Sequence, residues 1–351
     1  MTRPISAITL VLFCACCTML LCALPAALGD APAGSQLLKG VIFSRYTALA
    51  GNSERARRFL SPLTTMRLEH DLAQSGRSLA GQSINLADER FTVYVPAQRP
   101  PKGFGLLVFV PPWQDARLPA GWSTVLDRYG FIFVSAEKSG NPESVFGRRE
   151  PLAVLAAANI MALYPVDPER VYISGFSGGS RVALRIALAY PDVFRGAMLN
   201  AGSDPIGERD IPLPPRDLFL KFLSAIHLAY VTGDRDTENV ADDAISLRSV
   251  HGWCMFNTDS LAEFREGHTV ATASALDAAL DYLQKAADAE PAKRGYCISA
   301  IEQTLAVKLQ NTEALITAGR RGEAEKQLAG IDEHFGGFAA PRSVELASRL
   351  R

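Results

Sequence analysis

Histidine, tryptophan and charge of one sign are what this sequence has little of. Its 351 residues include five histidines and three tryptophans, and 36 Lys and Arg stand against 37 Asp and Glu. That balance leaves no basic stripe for a phosphate backbone and no acidic or basic tail, so nucleic acid is not an expected partner. No Cys/His spacing matches a zinc ligand set, and neither a metal nor an organic cofactor is expected. Any chemistry that needs an imidazole must draw on His70, His227, His251, His268 or His334. With 48% hydrophobic residues the chain can still bury one sizeable core.

Cysteine is also short outside the N-terminus. Of six cysteines, Cys14, Cys16, Cys17 and Cys22 fall in an apolar run, residues 5–24, that follows a single positive charge at Arg3. Small residues at Ala27 and Gly29 then precede Asp30. Residues 1–29 therefore read as a signal peptide for a secreted or periplasmic protein. The run is long for such a segment, and the alternative is an uncleaved membrane anchor, the only route to membrane contact. Cys254 and Cys297 remain. In an oxidising compartment they are expected to pair, a bridge that would contribute about 4 kcal/mol in the chain-entropy model; two buried free thiols are the other reading.

The stretch that organises the rest is Gly175-Phe176-Ser177-Gly178-Gly179. A short β-branched run precedes it and a helical pattern follows, ended at Pro191. Strand, Gly-flanked turn and helix form the setting of a nucleophile elbow. The glycines at 175 and 179 are needed because a Cβ there would collide with neighbouring backbone. Ser177 would stand exposed at the top of a sheet, with the backbone N–H of Gly178 facing the oxygen of a reacting carbonyl.

Around this stretch the pattern is α/β. Residues 89–96 alternate as a half-exposed strand, while 105–110, 131–135, 171–174, 197–200 and 227–232 are short apolar strands, with helices at 152–164 and 276–287. This predicts a mostly parallel sheet with helices on both faces. Residues 30–85 read as an N-terminal extension, helical over 53–75 with a break at Pro62 and a solvated basic face at Arg55, Arg57 and Arg58. Residues 86–288 form the catalytic domain. Residues 289–351 read as a C-terminal helical extension of two or three helices, docked on the core, with binding of a protein partner as its lesser reading.

A serine nucleophile needs a base and an orienting acid. The loop after the strand 227–232 offers Asp236 first, Asp234 as the alternative acid, and Asp204 after the preceding strand as a remote third. His268 lies far enough beyond Asp236 for one helix and one strand; His251 follows too closely. A second oxyanion donor must come from the loop after residue 110. Pro111 and Pro112 have no N–H, which leaves Trp113 or Gln114. Trp122 and Trp253, with Trp113, either line the substrate cleft or belong to the core.

Together, 91–95, 106–113, 167–179, 190–196, 233–236 and Gly267-His268 resemble an α/β-hydrolase. Within that superfamily they are most similar to secreted esterases of the polyhydroxybutyrate-depolymerase and feruloyl-esterase type. The resemblance covers about residues 86–288 and implies Ser177 as nucleophile, Asp236 as acid and His268 as base. The chain departs from that pattern at Pro111-Pro112, where such enzymes carry His-Gly, so Trp113 stands in the usual donor position. The interval 204–225 is too short for a large cap, and an open cleft suits a bulky or polymeric ester. The alternatives are a prolyl-oligopeptidase-like peptidase and a catalytically silent hydrolase fold that binds a partner. Activity is expected to rise with pH as the imidazole base loses its proton.

Overall fold

The computed structural model describes residues 34–286 and 290–350; the segment 1–29, with its four cysteines and the question of an anchor, lies outside them. The elements run in chain order as β1 (Gln36–Val41), α1 (Asn52–Phe59), α2 (Pro62–Gln74), β2 (Phe91–Val95), β3 (Phe104–Val110), α3 (Trp122–Tyr129), β4 (Phe131–Ala136), α4 (Glu150–Leu163), β5 (Val166–Phe176), α5 (Gly178–Ala189), β6 (Gly196–Asn200), α6 (Arg216–Ala225), β7 (His227–Gly233), α7 (Thr237–Gly252), β8 (Thr258–Glu263), α8 (Ala273–Leu283), α9 (Pro291–Thr317), α10 (Arg321–Phe335) and α11 (Arg342–Ser348).

Among the described residues, eight strands form one sheet in the order β1-β2-β4-β3-β5-β6-β7-β8. β2 runs antiparallel to β1 and β4, and the pairs from β4 to β8 are parallel. This order, with its one antiparallel strand, is the α/β-hydrolase topology. The central strands are apolar on both faces because both faces are covered. In β3, Leu106, Val108 and Val110 join the core under α4 and α5, while Leu107 and Phe109 face the core under α3 and α8. Each such fully buried side chain contributes about 1.5–3 kcal/mol.

Two features of the segment before residue 86 differ from the sequence expectation. First, β1 adds an edge strand to the sheet; its QLLKGV sequence is almost wholly exposed and carries no alternation to betray it. Second, the basic face is not solvated. Arg55 and Arg58 are 1% and 4% exposed. Arg55 donates to the Phe146 carbonyl at 2.7 Å, and Arg58 forms a two-pronged pair with Asp192 at 2.7 and 2.8 Å. Only Arg57 faces outward, paired with Glu54. Pro62 opens α2 at its first turn under a Ser61 cap instead of interrupting one helix.

The C-terminal helices α9 and α10 pack on each other and on the core. Asp332 of α10 accepts from Ser61 at 2.5 Å and from the Leu63 N–H at 3.0 Å. Gly337 donates to the Leu213 carbonyl at 2.7 Å. Cys254 and Cys297 form a disulfide that spans a sequence separation of 43 and ties the end of α7 to α9. Among the described residues no helix is long and apolar enough to cross a membrane, and no cluster of three or more metal-ligating side chains occurs.

Candidate active site

β5 ends in the turn that the glycines require. A Cβ on Gly175 would lie 2.1 Å from the Gly179 carbonyl oxygen, and one on Gly179 would lie 1.9 Å from the Val110 carbonyl oxygen. No side chain fits either place. Between them Ser177 adopts φ 55° and ψ −122°. For a non-glycine residue that conformation costs about 1–3 kcal/mol, sustained by the surrounding packing. Its N–H is held by the Asn200 carbonyl at 2.8 Å, and α5 begins at the next residue.

The loops after β7 and β8 meet this turn. His268 Nε2 lies 3.1 Å from Ser177 Oγ, and His268 Nδ1 lies 2.6 Å from Asp236 Oδ2. The imidazole side chain is 45% exposed and the Asp236 side chain 7%. The two loops cross closely at Gly233, where a Cβ would lie 2.4 Å from the Glu266 carbonyl oxygen. Asp236 occupies the N-cap position of α7. Its oxygens accept the side-chain amide of Asn239, in the first turn of that helix, at 2.9 and 3.0 Å. Burial pushes the Asp236 carboxyl up, but the hydrogen bonds from Asn239 and His268 outweigh it and hold the group below its ordinary value. The Asn239 amide also sits 3.1 Å from His268 Nδ1. Since Asn239 Nδ2 is a donor already engaged by the carboxylate, Nδ1 can carry its proton toward Asp236 and leave Nε2 to accept from Ser177.

The loop after β3 is clamped from the side. A strap at 138–141, after β4, donates from Lys138 N to the Gln114 carbonyl at 2.6 Å and from Asn141 N to the Pro112 carbonyl at 2.9 Å. Gly140 lies so close that a Cβ would come within 2.6 Å of the Trp113 backbone. Buried Arg149 joins the two loops, donating to the Pro111 carbonyl at 3.0 Å and the Ser139 carbonyl at 2.8 Å. Burial pushes its guanidinium down to about 10, so it stays charged at neutral pH. The Trp113 ring packs toward Phe176, which in turn lies 4.9 Å from the His268 ring. Asn239 and Arg149 were not singled out in the sequence. The i, i+3 spacing of Asp236 and Asn239 on one helix turn was the available signal for the first; the second had none.

The remaining expected positions fall elsewhere. Asp234 accepts from the Arg265 N–H at 2.8 Å and so ties the two loops together. Asp204 is paired with Arg181 at 2.9 Å. His251 contacts Thr258 at the far end of α7. Trp122 is a correction: it is 0% exposed, and its indole donates to the Ala271 carbonyl at 2.8 Å inside the core between α3 and α8. Trp253 is another. It is 7% exposed, bonded to the Ile206 carbonyl at 3.1 Å and packed against His334 and Phe335 of α10. It belongs to the seam with the C-terminal helices and not to a cleft beside Ser177. Both rings were large apolar residues on a chain with a core to fill, and burial won.

No protein-family model matches the chain. Over 98 residues it is 26% identical to the poly(3-hydroxybutyrate) depolymerase of Ralstonia pickettii, a match covering 24% of this chain and 20% of that protein. Over 96 residues it is 30% identical to poly(3-hydroxyalkanoate) depolymerase C of Paucimonas lemoignei, covering 24% and 23%. The chain thus spans less than a quarter of the length of these curated relatives. Among solved structures it is similar to the S-formylglutathione hydrolase of Staphylococcus aureus, at a TM-score of 0.44 and 12% identity over 56% of this chain and 92% of that one. It is also similar to the acetyl xylan esterase of Aspergillus awamori, at 0.43 and 15% over 57% and 95%. By its strand order and its elbow after β5 the chain has the α/β-hydrolase fold, and over about a quarter of its length it resembles two bacterial poly(hydroxyalkanoate) depolymerases.

Proposed function

We propose that this chain is an exported serine hydrolase that cleaves carboxylic esters through an acyl-enzyme. The observation that carries the reading is the hydrogen-bonded series Ser177 Oγ, His268 Nε2 at 3.1 Å, then His268 Nδ1 to Asp236 Oδ2 at 2.6 Å. Ser177 attacks the ester carbonyl as His268 takes its proton. Collapse of the tetrahedral intermediate expels the alcohol, which receives that proton from His268. Water, activated by the same imidazole, then releases the acid and restores Ser177. Asp236 holds the imidazole tautomer and offsets its positive charge. The backbone N–H groups of Gly178 and Trp113 take the oxyanion; each such donor is worth about 3 kcal/mol in the transition state.

The substrate we propose is a bulky or polymeric ester. Its support is the 45% exposure of His268, the absence of a cap domain between β6 and α6 among the described residues, and the two depolymerase relatives. The catalytic domain proposed for 86–288 takes β1 from the preceding segment as its edge strand, and the helices of 289–351 are an extension docked on it. Export is supported by the Cys254–Cys297 bridge, a bond of oxidising compartments. The test compares hydrolysis of a soluble p-nitrophenyl ester and of a poly(3-hydroxybutyrate) suspension by wild type, Ser177→Ala and His268→Ala. Turnover of both esters, lost in both variants, is expected. Soluble-ester turnover that persists in either variant refutes the assignment, and inertness toward the suspension refutes the polymer substrate.

A further inference from the structure

Asn200 closes β6 directly beside the elbow, and it is 0% exposed. The strand is otherwise apolar or small, GAMLN. A buried amide in such a place requires partners at both ends, and the partners it has belong to all three arms of the proposed triad. Its carbonyl accepts the Ser177 N–H at 2.8 Å. Its Nδ2 donates to the Val231 carbonyl at 2.8 Å, in the strand that leads to Asp236. Its Oδ1 accepts the Ala271 N–H at 2.7 Å, in the segment that carries His268 into α8.

We infer that Asn200 is a positioning residue that sets the distance between Ser177 and His268. The inference rests on the serine-hydrolase reading above. Asn200 touches none of the reacting atoms; it acts through the His268 segment. That segment is held at a second point by Glu263, whose Oε1 accepts the Thr272 N–H at 2.8 Å and the Thr272 hydroxyl at 2.7 Å. The two anchors are not equivalent. Glu263 fixes the start of α8 to β8, its own neighbour in sequence. Asn200 fixes the same segment to β6, the strand whose carbonyl also holds the nucleophile, so one residue references base and nucleophile to a common point. An asparagine suits the place because one end must accept and the other donate. A leucine of similar size would leave the Ala271 N–H buried without an acceptor, while the Val231 carbonyl would keep the Ala201 N–H at 3.0 Å. The loss therefore falls on the His268 segment and spares the sheet. A shift of the base by about 1 Å suffices for about a 100-fold loss of turnover.

The experiment uses the full chain with Asn200→Leu and Asn200→Asp; the aspartate, kept protonated by burial, retains the acceptor for Ala271 and a donor to the Val231 carbonyl. Folding is followed by thermal melting, turnover with a p-nitrophenyl ester, and the His268–Asp236 hydrogen bond by its downfield imidazole proton signal. In folded Asn200→Leu, kcat is expected to fall about 100-fold with KM little changed, and the imidazole signal to move or broaden. Asn200→Asp is expected to recover much of that loss. Asn200→Leu with wild-type kcat and an unmoved signal overturns the proposal. Amide exchange of Ala271 in the wild type reads the anchor whether or not the variants fold: slow exchange is expected, and exchange as fast as that of an exposed loop overturns it. Failure of the hydrolase reading is distinct, because then the wild type turns over no ester while the imidazole signal and the Ala271 exchange still report the anchor.

Discussion

Asp236 and Asp243 sit on the first two turns of α7 and its cap, and their surroundings push them in opposite directions. Burial acts on Asp236 too, but its bonds to Asn239 and His268 prevail and keep it ionised. Asp243 is pushed by burial up to about 6, against which the Thr232 hydroxyl at 2.5 Å, the Ser203 hydroxyl and the charge of Arg181 are too little. A raised carboxyl value means that the fold prefers the protonated form. Folded Asp243 therefore lowers stability progressively as pH climbs from the ordinary 3.8 through about 6, and by the full amount above that. Asp243→Asn is expected to melt higher than wild type at about pH 8, by up to about 3 kcal/mol, and the two to converge near about pH 4. Equal melting at both pH values would contradict this account. At this scale the sequence brought forward Ser177, Asp236 and His268, the proposed nucleophile, acid and base, because each stands in a loop with a motif or an order around it. It did not show Arg149 or Asn200, whose partners are backbone atoms remote in sequence, nor Asn239, whose only local signal was its spacing from Asp236.

The elements divide along the same line of burial. The strands β3 to β7 have apolar stretches because helices cover both faces, and each is legible as a short hydrophobic run, whereas β2, expected to be half-exposed from its alternation, is buried throughout. The two strands that were not named, β1 and β8, are the edges of the sheet. Their sequences QLLKGV and TDSLAE serve a half-exposed place, and neither alternation nor an apolar run survives there. Arg55 and Arg58 show the converse failure. A basic cluster ordinarily marks a solvated face, and here Asp192 and the Phe146 carbonyl, both far along the chain, bury it. The elbow was legible because its glycines stand at fixed spacing around the serine, although the backbone that Gly179 clears belongs to β3. Gly179→Ala would force a Cβ to 1.9 Å from the Val110 carbonyl oxygen. It is expected to abolish ester turnover, either with a soluble, less stable protein or with failure to fold. A well-folded Gly179→Ala enzyme with wild-type kcat would show that the turn is not as close as described.

Across the whole molecule, the C-terminal helices are bound by means other than the catalytic arrangement. The Cys254–Cys297 bridge, the Asp332 contacts to α2 and the Trp253 packing all lie in that seam, and none involves Ser177, Asp236 or His268. Cys254→Ser with Cys297→Ser is therefore expected to lower stability by about 2–4 kcal/mol while leaving turnover per folded molecule unchanged. Thermal melting alongside kcat at a temperature where both proteins are folded checks it, and a large loss of kcat without loss of stability would tie the seam to catalysis. The extension was legible from the sequence as helices docked on the core, whereas the contacts that dock it were not, since they come from Ser61, Leu213 and Phe219 in separate stretches of the chain. The proposed function depends first on Ser177 being an activated nucleophile. The direct measurement is labelling of the purified protein with a fluorophosphonate, with the adduct located by peptide mass analysis in wild type and in Ser177→Ala. A single adduct on the peptide containing Ser177, absent from the variant, is expected. A folded wild type that takes no label, or one labelled at another residue, would contradict it.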